Sequence, residues 1–281
     1  MTIQWFPGHM AKAIRIIKEK RNQIDIILEV LDARIPLSGR NPVLDELFPD
    51  KPRLLLFNKV DLSNIIITNK WIDYFKARNI KAIAINAISG KEAYKIEKAV
   101  KNIAANAEKA IRCVVFGIPN VGKSSLINHL IGKKKVSVGA KPGVTKKDTW
   151  LAVGKNLMLL DTPGILWPKF KDMNIGCKLA ITNCIKEERY DLCQIATYLC
   201  AILIKNYPHI IESKYKIPAD IKNPDKIFEQ ICQNRGFFIS GNELDYDRVY
   251  KVFLRDFRSG KLGRISLEKP EDYNTRNGEN T

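Results

Sequence analysis

Nine residues near the middle of the chain, Gly117 to Ser125 (GIPNVGKSS), set two glycines, a lysine and two hydroxyls at the GxxxxGKS spacing. Gly117 and Gly122 let the backbone curl until successive N–H groups point inward, the geometry a phosphate cradle needs. The loop through Pro119, Asn120, Val121 and Ser125 would wrap the phosphates, Lys123 would reach the terminal ones, and the Ser124 hydroxyl would ligate Mg2+. A helix opening at the loop adds the positive end of its dipole. The expected ligand is a nucleoside triphosphate.

Four other stretches narrow the chemistry. In Asn58-Lys59-Val60-Asp61 (NKVD), the Asp61 carboxylate can accept from guanine N1–H and the 2-amino group together, while the Asn58 amide and the Lys59 stem position and cover the ring. Adenine would leave that carboxylate unpaired, and polar sites of this kind discriminate by roughly 10⁴ to 10⁵. The loop at Asn86 and Ala87 (NAISG) would offer a backbone N–H to the base's O6. Asp161-Thr162-Pro163-Gly164 would put Asp161 near Mg2+ through water and the Gly164 N–H on the γ-phosphate. Thr145, closing PGVT, supplies a hydroxyl that could complete the Mg2+ shell.

These loops need elements to hold them. Short apolar runs at Asp25 to Leu31, Arg53 to Phe57, Lys81 to Ile85, Ile111 to Phe116 and Asn156 to Leu160 read as strands, and four of the motifs stand at strand carboxyl ends. Helical spacing follows at Asn69 to Arg78, Glu92 to Ala110 and Ser125 to Ile131. The expected fold is α/β, a mostly parallel sheet with helices on both faces. In an ordinary GTPase the phosphate loop opens the domain, whereas here NKVD comes more than fifty residues before it. A circularly permuted P-loop GTPase domain over residues 1–175 accounts for this, since only the spatial meeting of the loops matters. From Gly176 the apolar pattern is helical, over Ile181 to Ile204, Pro224 to Asn234 and Glu243 to Arg258. A small all-α domain is expected over 176–268, and a disordered polar tail over 269–281.

The formal charge is +17, with 29 basic against 14 acidic residues in positions 1–170 and 18 against 16 beyond. An excess confined to the nucleotide-binding half, together with a basic amphipathic helix at Ala11 to Gln23, favours a polyanionic partner such as RNA. No apolar run approaches a membrane span, and Pro7, Gly8 and His9 interrupt the first residues, so a cytoplasmic protein without membrane association is expected. Six cysteines without a CxxC pair speak against a zinc site.

Ras-like enzymes carry a water-orienting glutamine just after DxxG, but this chain has Ile165. Two substitutes are on offer: His9, on a Pro-Gly loop beside Trp5 and Phe6, and a K+ ion held by Asn120 within the phosphate loop.

Taken with NKVD, GIPNVGKSS, PGVT and DTPG, the segments WFPGHMAKA at the start, DARIPLSGRNP at Asp32 to Pro42 and FRSGKLGRISLE at Phe257 to Glu268 resemble the YlqF/RbgA family of circularly permuted GTPases, the ribosome biogenesis GTPase A group. The resemblance covers nearly the whole chain. It implies a GTPase acting late in assembly of the large (50S) ribosomal subunit; with no glutamine after DxxG, hydrolysis is expected to stay slow until that subunit stimulates it, with release afterwards. It also implies a C-terminal domain that helps bind ribosomal RNA, and it points to the same His9. Glu92 departs from the pattern, where a second glycine is expected after Gly90. A monomer binding GTP and GDP is expected. An RNA-binding scaffold with structural GTP, and a GTPase serving the small subunit or RNA modification, share the motifs.

Overall fold

The computed structural model describes residues 14–15, 17–104, 109–132, 150–154, 156–166 and 172–274. The chain divides into two units, one of residues 1–170 with 268–281, the other of residues 171–267.

The first unit is built on six strands: β1 (Ile26–Asp32), β2 (Arg53–Asn58), β3 (Lys81–Ala84), β4 (Ile111–Phe116), β5 (Trp150–Val153) and β6 (Leu157–Asp161). Their order is β3-β2-β1-β4-β6-β5, and every pairing is parallel except β5 with β6. β1 is buried at all seven positions, as a central strand covered on both faces should be. On one face Ile27, Val114, Phe116 and Leu160 pack with Ile17, Phe48 and Ile165. On the other, Leu31, Leu55 and Phe57 pack against Ile67, Trp71 and Phe75 of a helix. Each large side chain so buried contributes about 1.5–3 kcal/mol.

The register aligns the functional ends. Asp32 pairs with Asn58 across β1 and β2, and Val115 with Asp161 across β4 and β6, so the carboxyl ends of four strands share one edge of the sheet. The phosphate-loop strand β4 lies between β1 and β6 at the sheet's centre, although it is fourth in the chain. This is the permuted arrangement that the motif order requires.

Described residues 14–15 and 17–19 are helical, within the expected basic helix, and the helices that follow in this unit include α1 (Val43–Leu47), α2 (Ile65–Lys76), α3 (Ala93–Ile103) and α4 (Lys123–Leu130). α2 begins four residues earlier than its apolar spacing suggests, because the Asn64 side chain caps it by accepting from Ile66 N at 3.0 Å and Ile67 N at 3.3 Å. α3 stops at Ile103, short of the expected Ala110.

The second unit is helical: α5 (Met173–Ile181), α6 (Leu192–Asn206), α7 (Pro208–Tyr215), α8 (Pro224–Arg235) and α9 (Tyr246–Arg258). The single helix expected over Ile181 to Ile204 is replaced by α5 and α6. Asn183 turns left-handed at φ 64°, and Asp191 restarts the chain by accepting from Gln194 N at 2.8 Å. Arg258 then caps α5, donating to the carbonyls of Ala180 and Ile181 at 2.9 Å each.

The end of the chain departs from the expected tail. Glu268 is 1% exposed and belongs to the first unit, where its carboxylate accepts from Leu37 N at 2.8 Å, Ser38 N and the Ser38 hydroxyl. Trp71 Nε1 donates to its carbonyl at 3.1 Å, and α10 (Glu271–Asn274) sets Tyr273 against Trp71. The first unit therefore gives up the chain at residue 170 rather than 175 and takes it back at 268. No described helix is long and apolar enough to cross a membrane.

Candidate functional site

At the end of β4 the phosphate loop passes into α4 through Gly122, whose φ of 99° only glycine adopts readily; a Cβ there would stand 2.3 Å from Asn58 Nδ2. Lys123 is 8% exposed and folds back on the loop, donating to the carbonyls of Gly117 at 2.9 Å and Ile118 at 3.1 Å. Ser124 and Ser125 follow in the first turn of α4, both half-buried. Asn120 holds a left-handed φ of 60° inside the loop, where Val121 is fully buried.

Asn58, at the end of β2, joins the loops. Its Nδ2 donates to Val121 O at 2.6 Å and its Oδ1 accepts from Ala87 N at 2.8 Å. One 3%-exposed amide thus fastens the phosphate loop to the Asn86–Gly90 loop. Of the backbone N–H groups in this loop, that of Ala87 is the one Asn58 holds. Around it Asn86 Oδ1 accepts from Ile88 N at 2.9 Å, and Glu92 accepts from Asn86 N at 3.3 Å, so the unexpected glutamate braces this loop. Asp61 lies exposed beyond β2.

Lys59 reaches an anchor that its own motif does not announce. Its Nζ lies 3.1 Å from Asp32 Oδ2, at the end of the neighbouring strand. Asp32 is fully buried and also takes Arg34 Nε at 2.9 Å and Nη2 at 2.8 Å. Burial opposes the Asp32 charge, yet Arg34 and Lys59 outweigh it and hold the carboxyl far below the usual carboxylate range.

Asp161 ends β6 beside the lysine of the cradle. Both of its carboxylate oxygens are buried and neither accepts a well-formed hydrogen bond, the Thr162 N–H exerting only a minor pull on the charge. Burial pushes its pKa up to about 6, against the pull of the Lys123 charge. Thr162 turns inward, its hydroxyl donating to Val115 O at 2.7 Å. Gly164 lies against the phosphate loop so closely that a Cβ would stand 2.9 Å from Pro119 N and Cα. Ile165 is 1% exposed and packs in the core.

An unpartnered buried carboxylate suits a hard cation. Among the described residues no cluster of three His, Cys, Asp or Glu could hold a metal. Mg2+ suits such a lone carboxylate, since it takes one or two protein ligands and completes its shell with phosphates and water. His9 and Thr145 lie outside the described residues.

The structure brings Asn58, Ala87, Gly117, Val121, Gly122, Lys123 and Gly164 together by direct contact. Asp32, Asn41 and Glu268, which tie the surrounding loops, are absent from the residues that the motifs single out. Their segments, DARIPLSGRNP and FRSGKLGRISLE, were the only signal.

The family model described as 50S ribosome-binding GTPase matches residues 112–217. A ribosome biogenesis GTPase A of Bacillus cereus is 44% identical, over 97% of this chain and 96% of that protein. One of Thermotoga maritima is 31% identical, over 96% and 95%. Among solved structures, GDP-bound YlqF matches with a TM-score of 0.68 at 27% identity, over 91% of this chain and 99% of that one. GNP-bound YlqF from Thermotoga maritima matches with a TM-score of 0.67, over 92% and 99%.

Proposed function

The chain belongs to the ribosome biogenesis GTPase A family, and on that premise we propose that it binds the maturing large (50S) ribosomal subunit with GTP and leaves it on hydrolysis. The observation that carries the reading is the Asn58 clip between phosphate loop and base loop, with the unpartnered Asp161 carboxylate beside it.

The residues divide the work. Asp61 takes the guanine N1–H and 2-amino group, and the Lys59 stem, anchored by Asp32, covers the ring. Lys123 exchanges the carbonyls of Gly117 and Ile118 for phosphate oxygens, joined by the backbone N–H groups of the loop. Ser124 would hold Mg2+ directly and Asp161 through water, with the Thr145 hydroxyl completing the shell. The ion, when bound, neutralises charge on the β- and γ-phosphate oxygens. The Gly164 N–H meets the γ-phosphate. With Ile165 turned into the core, water must be oriented by another group. His9 is the first candidate, and K+ beside Asn120 is the second. Turnover is therefore slow until the subunit completes the site.

The charge excess in residues 1–170 gives this unit a long-range attraction to ribosomal RNA, and the helical unit supplies further RNA contact. GTP turnover measured with isolated large and small subunits, in K+ and in Na+ buffers, tests the proposal. Stimulation by the large subunit is expected, and stimulation by the small subunit alone refutes it. Equal rates in K+ and Na+ remove the K+ route and leave His9.

A further inference from the structure

We propose that Asn41 is the positioning residue through which the DARIPLSGRNP segment fixes the γ-phosphate side of the site. Asn41 is 2% exposed and lies between β1 and α1, 124 residues before Ile165 in the chain. Its Nδ2 donates to Ile165 O at 2.9 Å. Its Oδ1 accepts from Val43 N at 3.1 Å, and its own N–H donates to Glu29 Oε1 at 3.3 Å. An N–H at Val43 demands the amide oxygen on that side, so the nitrogen has to face Ile165. Glu29 is itself buried between Arg40 and Arg53, which fixes the backbone at Asn41.

Ile165 is consequently held three ways. Its N–H donates to Gly117 O at 3.3 Å, its carbonyl takes Asn41, and its side chain is sealed in the core. The residue before it is Gly164, pressed on Pro119. Pinning Ile165 at both backbone groups fixes the chain immediately after Gly164, whose own N–H lies one peptide earlier, and so narrows the directions that N–H can take before any nucleotide arrives, which is how orientation lowers the entropic cost of a contact. This inference rests on the reading that Gly164 N–H meets the γ-phosphate. GDP lacks that group. Asn41 thus bears on the preference for GTP over GDP and leaves guanine recognition untouched.

The test uses the full chain with Mg2+ and compares affinities for a non-hydrolysable GTP analogue and for GDP. The variants are Asn41→Ala, Asn41→Asp and Gly164→Ala. Asn41→Asp keeps the acceptor for Val43 N and removes the donor to Ile165, and GDP binding in the same sample reports whether each variant is folded. Both Asn41 variants are expected to weaken analogue binding about tenfold while GDP affinity stays within about twofold, the scale of one lost hydrogen bond. Equal loss for both nucleotides marks Asn41 as merely structural and overturns the proposal, as does no loss for either. Gly164→Ala separates the two premises. A selective loss there, with none in the Asn41 variants, leaves the Gly164 reading standing and refutes the role of Asn41. No selective loss in Gly164→Ala removes the Gly164 reading and the inference with it.

Discussion

Replacing Asn58 by alanine deletes the amide that joins the phosphate loop to the base loop. Two bonds go, to Val121 O at 2.6 Å and from Ala87 N at 2.8 Å, and both partners stay behind in a region where Val121 is fully buried and Ala87 is 2% exposed. A buried polar group left unsatisfied costs about 1–3 kcal/mol, so the pair amounts to roughly 2–6 kcal/mol. Water reaching the strand ends favours the lower half of that range, about 2–4 kcal/mol. Against a total stability of about 5–15 kcal/mol this is a large share. All four tryptophans, Trp5, Trp71, Trp150 and Trp167, fall in residues 1–170, so tryptophan fluorescence in a urea titration follows the nucleotide-binding unit alone. Amide exchange at Ala87 should accelerate at least about tenfold, and GDP affinity should fall, because the two loops no longer arrive at the ligand as one piece. A stability change under about 0.5 kcal/mol, or an unchanged Ala87 exchange rate, refutes the clip.

Asp161→Asn has the opposite sign. The folded pKa of about 6 lies above the ordinary 3.8, so ionising Asp161 in the fold destabilises it progressively as pH rises from about 4 to 6, by at most about 3 kcal/mol. With chelator present at pH 7 the variant should be the more stable protein, with no such gain at pH 4, while its Mg2+-dependent nucleotide affinity is lost; a less stable variant at pH 7 contradicts the burial argument. Asp32→Asn leaves the Arg34 guanidinium buried with a neutral partner and should cost about 3–5 kcal/mol in a urea titration. Its effect on GDP affinity should be smaller in a Lys59→Met background than in the wild type, and strict additivity would show that Asp32 does not act through Lys59. Ending the chain at Leu267 strips the acceptor from Leu37 N and Ser38 N, and a loss of about 2–4 kcal/mol in the fluorescence titration is expected; ending it at Asn274 should change little.

Strands were the most legible part of the chain, because a parallel sheet covered on both faces demands unbroken apolar runs such as Arg53 to Phe57. β5 escaped notice for the converse reason. It is a four-residue antiparallel edge strand, only partly buried, following a long lysine-rich stretch. The loop motifs could be read because phosphate and guanine chemistry tolerate few residue types at those spacings. Asp32, Asn41 and Glu268 could not be assigned partners, since the contacts that hold them reach far along the sequence, 27 residues from Asp32 to Lys59, 124 from Asn41 to Ile165 and 231 from Leu37 to Glu268. The break between α5 and α6 carried a local sign, Asn183 and the capping Asp191, which the apolar periodicity on either side masked.

The return of the chain to the first unit at Glu268 makes the helical unit a 97-residue insertion fastened at both ends. Closing a flexible segment of that length costs on the order of 4 kcal/mol in chain entropy, growing only with the logarithm of its length. That cost is shared. Whichever unit folds first brings the ends of the other's chain together, so the stabilities of the two are linked through the polymer alone. A nucleotide that tightens the first unit keeps the segment's two anchor points in place, and thereby opposes unfolding of the second unit.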